Sequence, residues 1–129
     1  MTNKEVTKIL NRAISEDNME MVLFTWENNP GFDPSFDRNW LLRASAGKGW
    51  TTLVARLLAD PRVDPTAEDN EAIRWAASNG RLEVVKLLLN DSRVDPTEGD
   101  NFAIKWANQN GYVEVVELLE KHGCKIPRG

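Results

Sequence analysis

The stretch Val63–Arg93, VDPTAEDNEAIRWAASNGRLEVVKLLLNDSR, returns at once as Val94–Cys124, VDPTEGDNFAIKWANQNGYVEVVELLEKHGC. The period is 31 residues, and the ungapped copies agree at Val-Asp-Pro-Thr, Asp-Asn, Ala-Ile, Trp-Ala, Asn-Gly, Glu-Val-Val and Leu-Leu, more than half their length. Such a period marks a repeat array, in which one helical unit cannot bury its apolar face alone and stacks on its neighbours. Working outward, Phe32–Arg62 keeps the register through Asp33-Pro34, Asn39, Gly49, Val54 and Leu57-Leu58. Met19-Glu20-Met21-Val22 stands where the later copies carry Leu82-Glu83-Val84-Val85 and Val113-Glu114-Val115-Val116. The expectation is an all-α solenoid of four stacked helix-turn-helix units in one domain, residues 1–129. A divergent capping repeat spans 1–31, repeats follow at 32–62 and 63–93, and a fourth with a C-terminal cap spans 94–129.

Local chemistry supports that division. The first unit reads as helices from about Lys4 to Ile14 and Met19 to Glu27, stopped by Asn28-Asn29-Pro30-Gly31. Polar Lys4, Glu5, Lys8 and Arg12 interrupt its first helix, as a terminal unit requires. Proline pushes the residue before it out of helical geometry, so Asp33-Pro34, Asp64-Pro65 and Asp95-Pro96 mark the inter-repeat loops. In the third unit Ala72, Ile73, Ala76 and Ala77 share one helical face, with Asp69 or Asn70 placed to cap its start. Asn79-Gly80 ends that helix, and Gly49 and Gly111 repeat the device. The second helix, Leu82–Leu89, is apolar almost all round, with Glu83, Lys86 and Asn90 as its one narrow polar stripe. In the fourth unit Glu120 and Asn108 replace a leucine and an alanine, and Lys121-His122-Gly123-Cys124-Lys125-Ile126-Pro127 makes a polar end cap.

Composition bounds the function. Sixteen basic against 20 acidic residues give a net charge of -4, which argues against a nucleic-acid partner held by phosphate contacts. No apolar run is long enough to span a membrane, and no signal-peptide core follows Thr2-Asn3-Lys4-Glu5, so a soluble cytoplasmic protein is expected. The single cysteine, Cys124, excludes an internal disulfide and suits a reducing compartment.

Ala76-Ala77-Ser78-Asn79-Gly80-Arg81-Leu82-Glu83-Val84-Val85-Lys86-Leu87-Leu88-Leu89 resembles the core of the ankyrin repeat, and Ala107–Leu119 repeats most of it. The resemblance implies stacked helix pairs whose first helices and loop tips line a concave, protein-binding surface without catalysis. Two departures stand out. The Thr-Pro-Leu-His start of the family's first helix is replaced by Trp40-Leu41-Leu42-Arg43, Glu71-Ala72-Ile73-Arg74 and Phe102-Ala103-Ile104-Lys105, which passes the capping role to Asn39, Asn70 and Asn101. The period is shorter than the family's roughly 33 residues, which predicts a short loop. The Val-Asp-Pro-Thr loops joined to Arg-Trp-Ala-Ala helices look like the divergent ankyrin units of large DNA viruses and protists.

The same residues contain the candidates for chemistry and binding. Gly47-Lys48-Gly49 suggests a phosphate loop, but Leu42 stands where that motif needs glycine and Gly49 where it needs Ser or Thr, so a helix-helix turn is expected. His122 and Cys124 are too few for a closed zinc site, and Glu114, Glu117 and Glu120 follow a helix stripe with no nucleophile beside them. No metal, no cofactor and no enzymatic activity are expected. Arg43, Arg74 and Lys105 form a basic column, one per repeat, expected to tie loop and helix ends together. Trp75 and Trp106, one residue on, are expected to pack between repeats. Trp40 and Phe102 align with Glu71, and a position that accepts glutamate is expected to reach solvent, as is Phe36 at a loop tip. The expected partner-binding set is therefore Phe36, Trp40, Trp75, Phe102 and Trp106, with Lys48, Asn79 and Asn110 as polar neighbours. The leading expectation is a non-enzymatic, monomeric module that binds another protein, acting as an inhibitor or host-directed effector. The alternatives are a subunit of a homo-oligomer, or a small-ligand protein or enzyme with a deep pocket.

Overall fold

Alanine and valine at the repeated inward positions let helices approach closely, and the Asp-Pro junctions separate one helix pair from the next. The computed structural model describes residues 1–126, and Pro127 of the expected end cap lies outside them. The described residues form eight helices and divide with the rest of the chain into two compact units, 1–34 and 35–129.

In the first unit α1 (Asn3–Ser15) packs against α2 (Met19–Glu27). Thr2 and Asn18 cap them by accepting from the backbone N–H groups of Glu5 and Met21, which satisfies donors that a helix start leaves open. Val6, Leu10, Ala13, Ile14, Val22 and Trp26 are buried.

In the second unit three helix pairs follow: α3 (Phe36–Lys48) with α4 (Thr51–Leu58), α5 (Ala67–Ser78) with α6 (Leu82–Leu89), and α7 (Glu98–Gln109) with α8 (Val113–Lys121). The first helices pack α3 on α5 on α7, and the second helices α4 on α6 on α8. Leu42, Ile73, Ala76, Ala77 and Ile104 of the first row and Leu53, Leu57, Leu88 and Leu119 of the second are fully buried. Glu83, Lys86 and Asn90 are exposed, which leaves α6 wet along the one stripe expected. Gly49, Gly80 and Gly111 all have positive φ, and a Cβ on Gly80 would lie 2.7 Å from the ring of Tyr112.

The helix starts differ from expectation. Asp37-Arg38-Asn39, Glu68-Asp69-Asn70 and Gly99-Asp100-Asn101 each make three consecutive left-handed residues, so the right-handed helix begins only at Trp40, Glu71 and Phe102. Left-handed geometry costs an ordinary residue roughly 1–2 kcal/mol, less for Asn, Asp and Gly. The arginine column offsets it. Arg43 donates from Nη2 to the Asp37 carbonyl at 3.1 Å and from Nε to the Arg38 carbonyl at 3.0 Å. Arg74 makes the same fork to Glu68 and Asp69, both at 3.0 Å. Hydrogen bonds from a charged donor contribute about 1.5–3 kcal/mol each, so two match the strain of one turn. The fourth copy has Lys105 and no such fork among the described residues, and there glycine relieves the first position, Gly99 at φ 68°.

The three asparagines are not N-caps, which corrects the sequence expectation. Their side-chain oxygens accept from the segment that follows the helix pair: Asn39 from Asp64 N–H of the next repeat at 2.9 Å, Asn70 from Asp95 N–H of the next repeat at 2.9 Å, and Asn101 from Lys125 N–H of the C-terminal cap at 3.3 Å. The Asp64 and Asp95 carboxylates turn back on their own loops and accept from Thr66 and Thr97. Asparagine is the polar residue that both tolerates left-handed geometry and offers a carbonyl to a neighbour.

Substitution at Asn70 separates these two roles. Asn70→Ala is expected to destabilise the chain by about 1–3 kcal/mol, because it loses the inter-repeat bond and strains the turn. Asn70→Gly relieves the strain and should lose less, but measurably. Urea denaturation ranks the variants, and a glycine variant as stable as wild type would contradict the inter-repeat role.

Candidate functional site

The late start of each right-handed helix places Trp40, Glu71 and Phe102 at its first residue, one above another in successive repeats. Glu71 is not solvated, which overturns the inference drawn from it. Its carboxylate meets Arg43 Nη1 at 2.7 Å, with side-chain exposures of 17% and 9%. The position accepts glutamate because the preceding repeat supplies a guanidinium, so its neighbours need not be exposed. Trp40 and Phe102 are accordingly half-buried.

The aromatic residues form two pairs. Trp40 and Trp75 meet edge to face, with ring centres 6.2 Å apart and planes at 86°. Phe102 and Trp106, one turn apart on α7, lie 5.8 Å apart at 46°. The guanidinium of Arg43 sits 5.4 Å from the Trp40 ring and that of Arg74 5.1 Å from the Phe102 ring, within cation–π range.

Trp75 is half-buried, whereas Trp106 is 38% exposed, contrary to the packing role expected for it. Trp75 lies over Gly47 of the preceding repeat, where an added Cβ would touch Trp75 at 3.5 Å. The residue equivalent to Gly47 in the repeat before Trp106 is Ser78, whose hydroxyl donates to the Trp75 carbonyl of its own helix. Phe36, the first residue of α3, is 43% exposed as expected.

The polar neighbours have internal partners. Lys48 stacks 5.6 Å from the Trp50 ring. Asn79 donates to the Trp75 carbonyl of its own helix, and Asn110 to the Ser78 carbonyl of the repeat before it. Arg81 makes the equivalent tie to the Gly47 carbonyl at 3.1 Å. Arg81 and Tyr112, which cover Gly49 and Gly80, are not among the residues expected from the sequence, although their column directly follows the turn glycine.

Cys124 is a core residue. Lys125 N–H reaches Asn101 as Asp64 N–H reaches Asn39, so Cys124 takes the buried place of Val63 and Val94. Burial, with a smaller contribution from Asp95, pushes its thiol up from 9.0 to about 11. His122 is exposed and its Nδ1 lies 3.0 Å from the Leu118 carbonyl. Among the described residues no three His, Cys, Asp or Glu side chains converge as a metal site would require, and no helix is long and apolar enough to cross a membrane.

A thiol held protonated by folding gives a pH signature. The unfolded chain ionises first as pH rises, so the stability that depends on the neutral thiol is complete below about pH 9 and falls toward pH 11. Wild type and Cys124→Val should therefore diverge in this window, the valine variant losing less. Parallel urea titrations from pH 8 upward check this, and identical pH profiles would contradict the burial of the thiol.

A family model described as ankyrin repeats in three copies matches residues 2–100 and 41–128. No curated protein and no solved structure matches the chain.

Proposed function

The chain belongs to the ankyrin repeat family, a non-enzymatic protein-binding repeat, and on that premise we propose that it binds one partner protein through the face made by its first helices and the turns before them. The observation that carries this reading is Trp106, a tryptophan 38% exposed beside half-buried Phe102 and Trp75. Large aromatic side chains left wet gain free energy when a partner covers them, and one such anchor contributes about 2 kcal/mol or more to binding. Phe36 and Trp40 extend the proposed surface, and Lys48, Asn79 and Asn110 border it. The unbound chain is proposed to be a cytoplasmic monomer that acts by masking its partner, as an inhibitor or host-directed effector does. Likeness to the short units of large DNA viruses and protists supports that role.

Trp106→Glu should leave the melting temperature within a few degrees of wild type and abolish capture of the partner from host extract. Leu88→Glu, which buries a charge at a fully buried position, should unfold the chain. Light scattering completes the test. A dimer that Trp106→Glu dissociates would transfer the same surface to a homo-oligomer, and capture unchanged by Trp106→Glu would remove this residue from the interface.

A further inference from the structure

The repeat contains its own comparison of how one arginine position is satisfied. Arg43 and Arg74 are equivalent, and each spends Nε and Nη2 on the carbonyls of its left-handed turn. Their third group differs. Arg43 Nη1 donates to the Glu71 carboxylate at 2.7 Å, whereas the residue equivalent to Glu71 facing Arg74 is Phe102, whose ring lies 5.1 Å from the guanidinium. Among the described residues Arg74 forms no ion pair. Glu68 is turned to Arg38 at 3.3 Å, and neither Asp69 nor Asp100 pairs with Arg74 or Lys105. Lys105, the next member of the column, is exposed on the same helix as Phe102 and Trp106 and has no hydrogen-bond or ion-pair partner among the described residues.

Deepening the proposed function and resting on it, we propose that Arg74 and Lys105 are a receptor for two carboxylates of an acidic, apolar-spaced peptide segment of the partner, with Phe102 and Trp106 receiving the apolar side chain between them. The charge required is the one the preceding repeat supplies internally. A carboxylate at Arg74 Nη1 would make the pair that Glu71 makes with Arg43, here donated by the partner. Packed helices lie about 8–10 Å apart, and a peptide in the polyproline II conformation advances about 3.1 Å per residue with three residues per turn, so carboxylates three positions apart share a face and reach successive members of the column. The chain's net charge of -4 does not oppose this strongly, because charges beyond about 8 Å are screened at physiological salt.

The test uses the full chain and short end-labelled peptides followed by fluorescence anisotropy. One peptide carries two glutamates three positions apart with apolar residues between, and the others carry glutamine or lysine in their place. The glutamate peptide should bind about tenfold or more tightly than the glutamine peptide, and the lysine peptide should not bind. Phe102→Glu supplies Arg74 with an internal carboxylate and should keep the chain folded while weakening the glutamate peptide by about tenfold. Lys105→Glu, at an exposed side chain with no hydrogen-bond or ion-pair partner among the described residues, gives a second variant that should weaken it similarly with unchanged melting. Equal binding of the glutamine peptide, or indifference to both variants, would overturn the carboxylate chemistry. So would an absence of binding by all three peptides. Capture sensitive to Trp106→Glu would then still stand for the surface, so the two readings fail separately.

Discussion

The arrangement depends on a left-handed turn of three residues held open by side chains from two directions. Within the repeat an arginine fork binds the carbonyls of the first two residues, and toward the next repeat an asparagine amide receives the Asp-Pro loop. In the fourth copy, where Lys105 makes no fork among the described residues, glycine stands at the first turn position. Backbone strain of several kcal/mol persists only where surrounding contacts over-determine it. Because the bond to the next repeat originates in the strained turn, forming the turn and setting the spacing between repeats are one event.

The same turn decides what the first-helix face presents. It delays the right-handed helix to Trp40, Glu71 and Phe102 and brings each of the last two opposite the arginine of the preceding repeat. At one step that neighbour is a carboxylate and charge is consumed inside the protein. At the next it is an aromatic ring, which attracts the guanidinium more weakly than a carboxylate does. The arginines of the second and third repeats both brace their turns, and on the proposal made above the groups left over in the third and fourth repeats serve binding. In the fourth repeat Lys105 replaces the arginine, and Gly99 carries the structural burden in its place.

Much of the fold was legible because it rests on local rules. The bounds of α2 and α6 agree with the sequence reading, since a cap or turn glycine marks each start and the apolar run marks each end. The inter-repeat roles were not legible, because they join side chains to backbone or to each other across about a whole period. Asn70 has the composition of a cap, and only the positive φ of its neighbours reveals that its amide faces the next repeat. Glu71 implies solvent unless Arg43, 28 positions earlier, is set beside it. Trp106 is exposed where the equivalent Trp75 is half-buried, a difference between copies that no hydropathy pattern registers. Among the expected binding residues, the proposed surface therefore rests on Trp106, Phe102 and Trp75, while the amides of Asn79 and Asn110 have bonds of their own.

Residue-resolved hydrogen exchange tests the coupling of turn and stack most directly. Asp64 and Asp95 are exposed loop residues whose N–H groups are held by Asn39 and Asn70. Both amides are predicted to exchange as slowly as those of the α5 core, and Asn39→Gly should accelerate Asp64 far more than Asp95. Exchange of both at the rate of an unstructured loop in the wild-type chain would contradict the account.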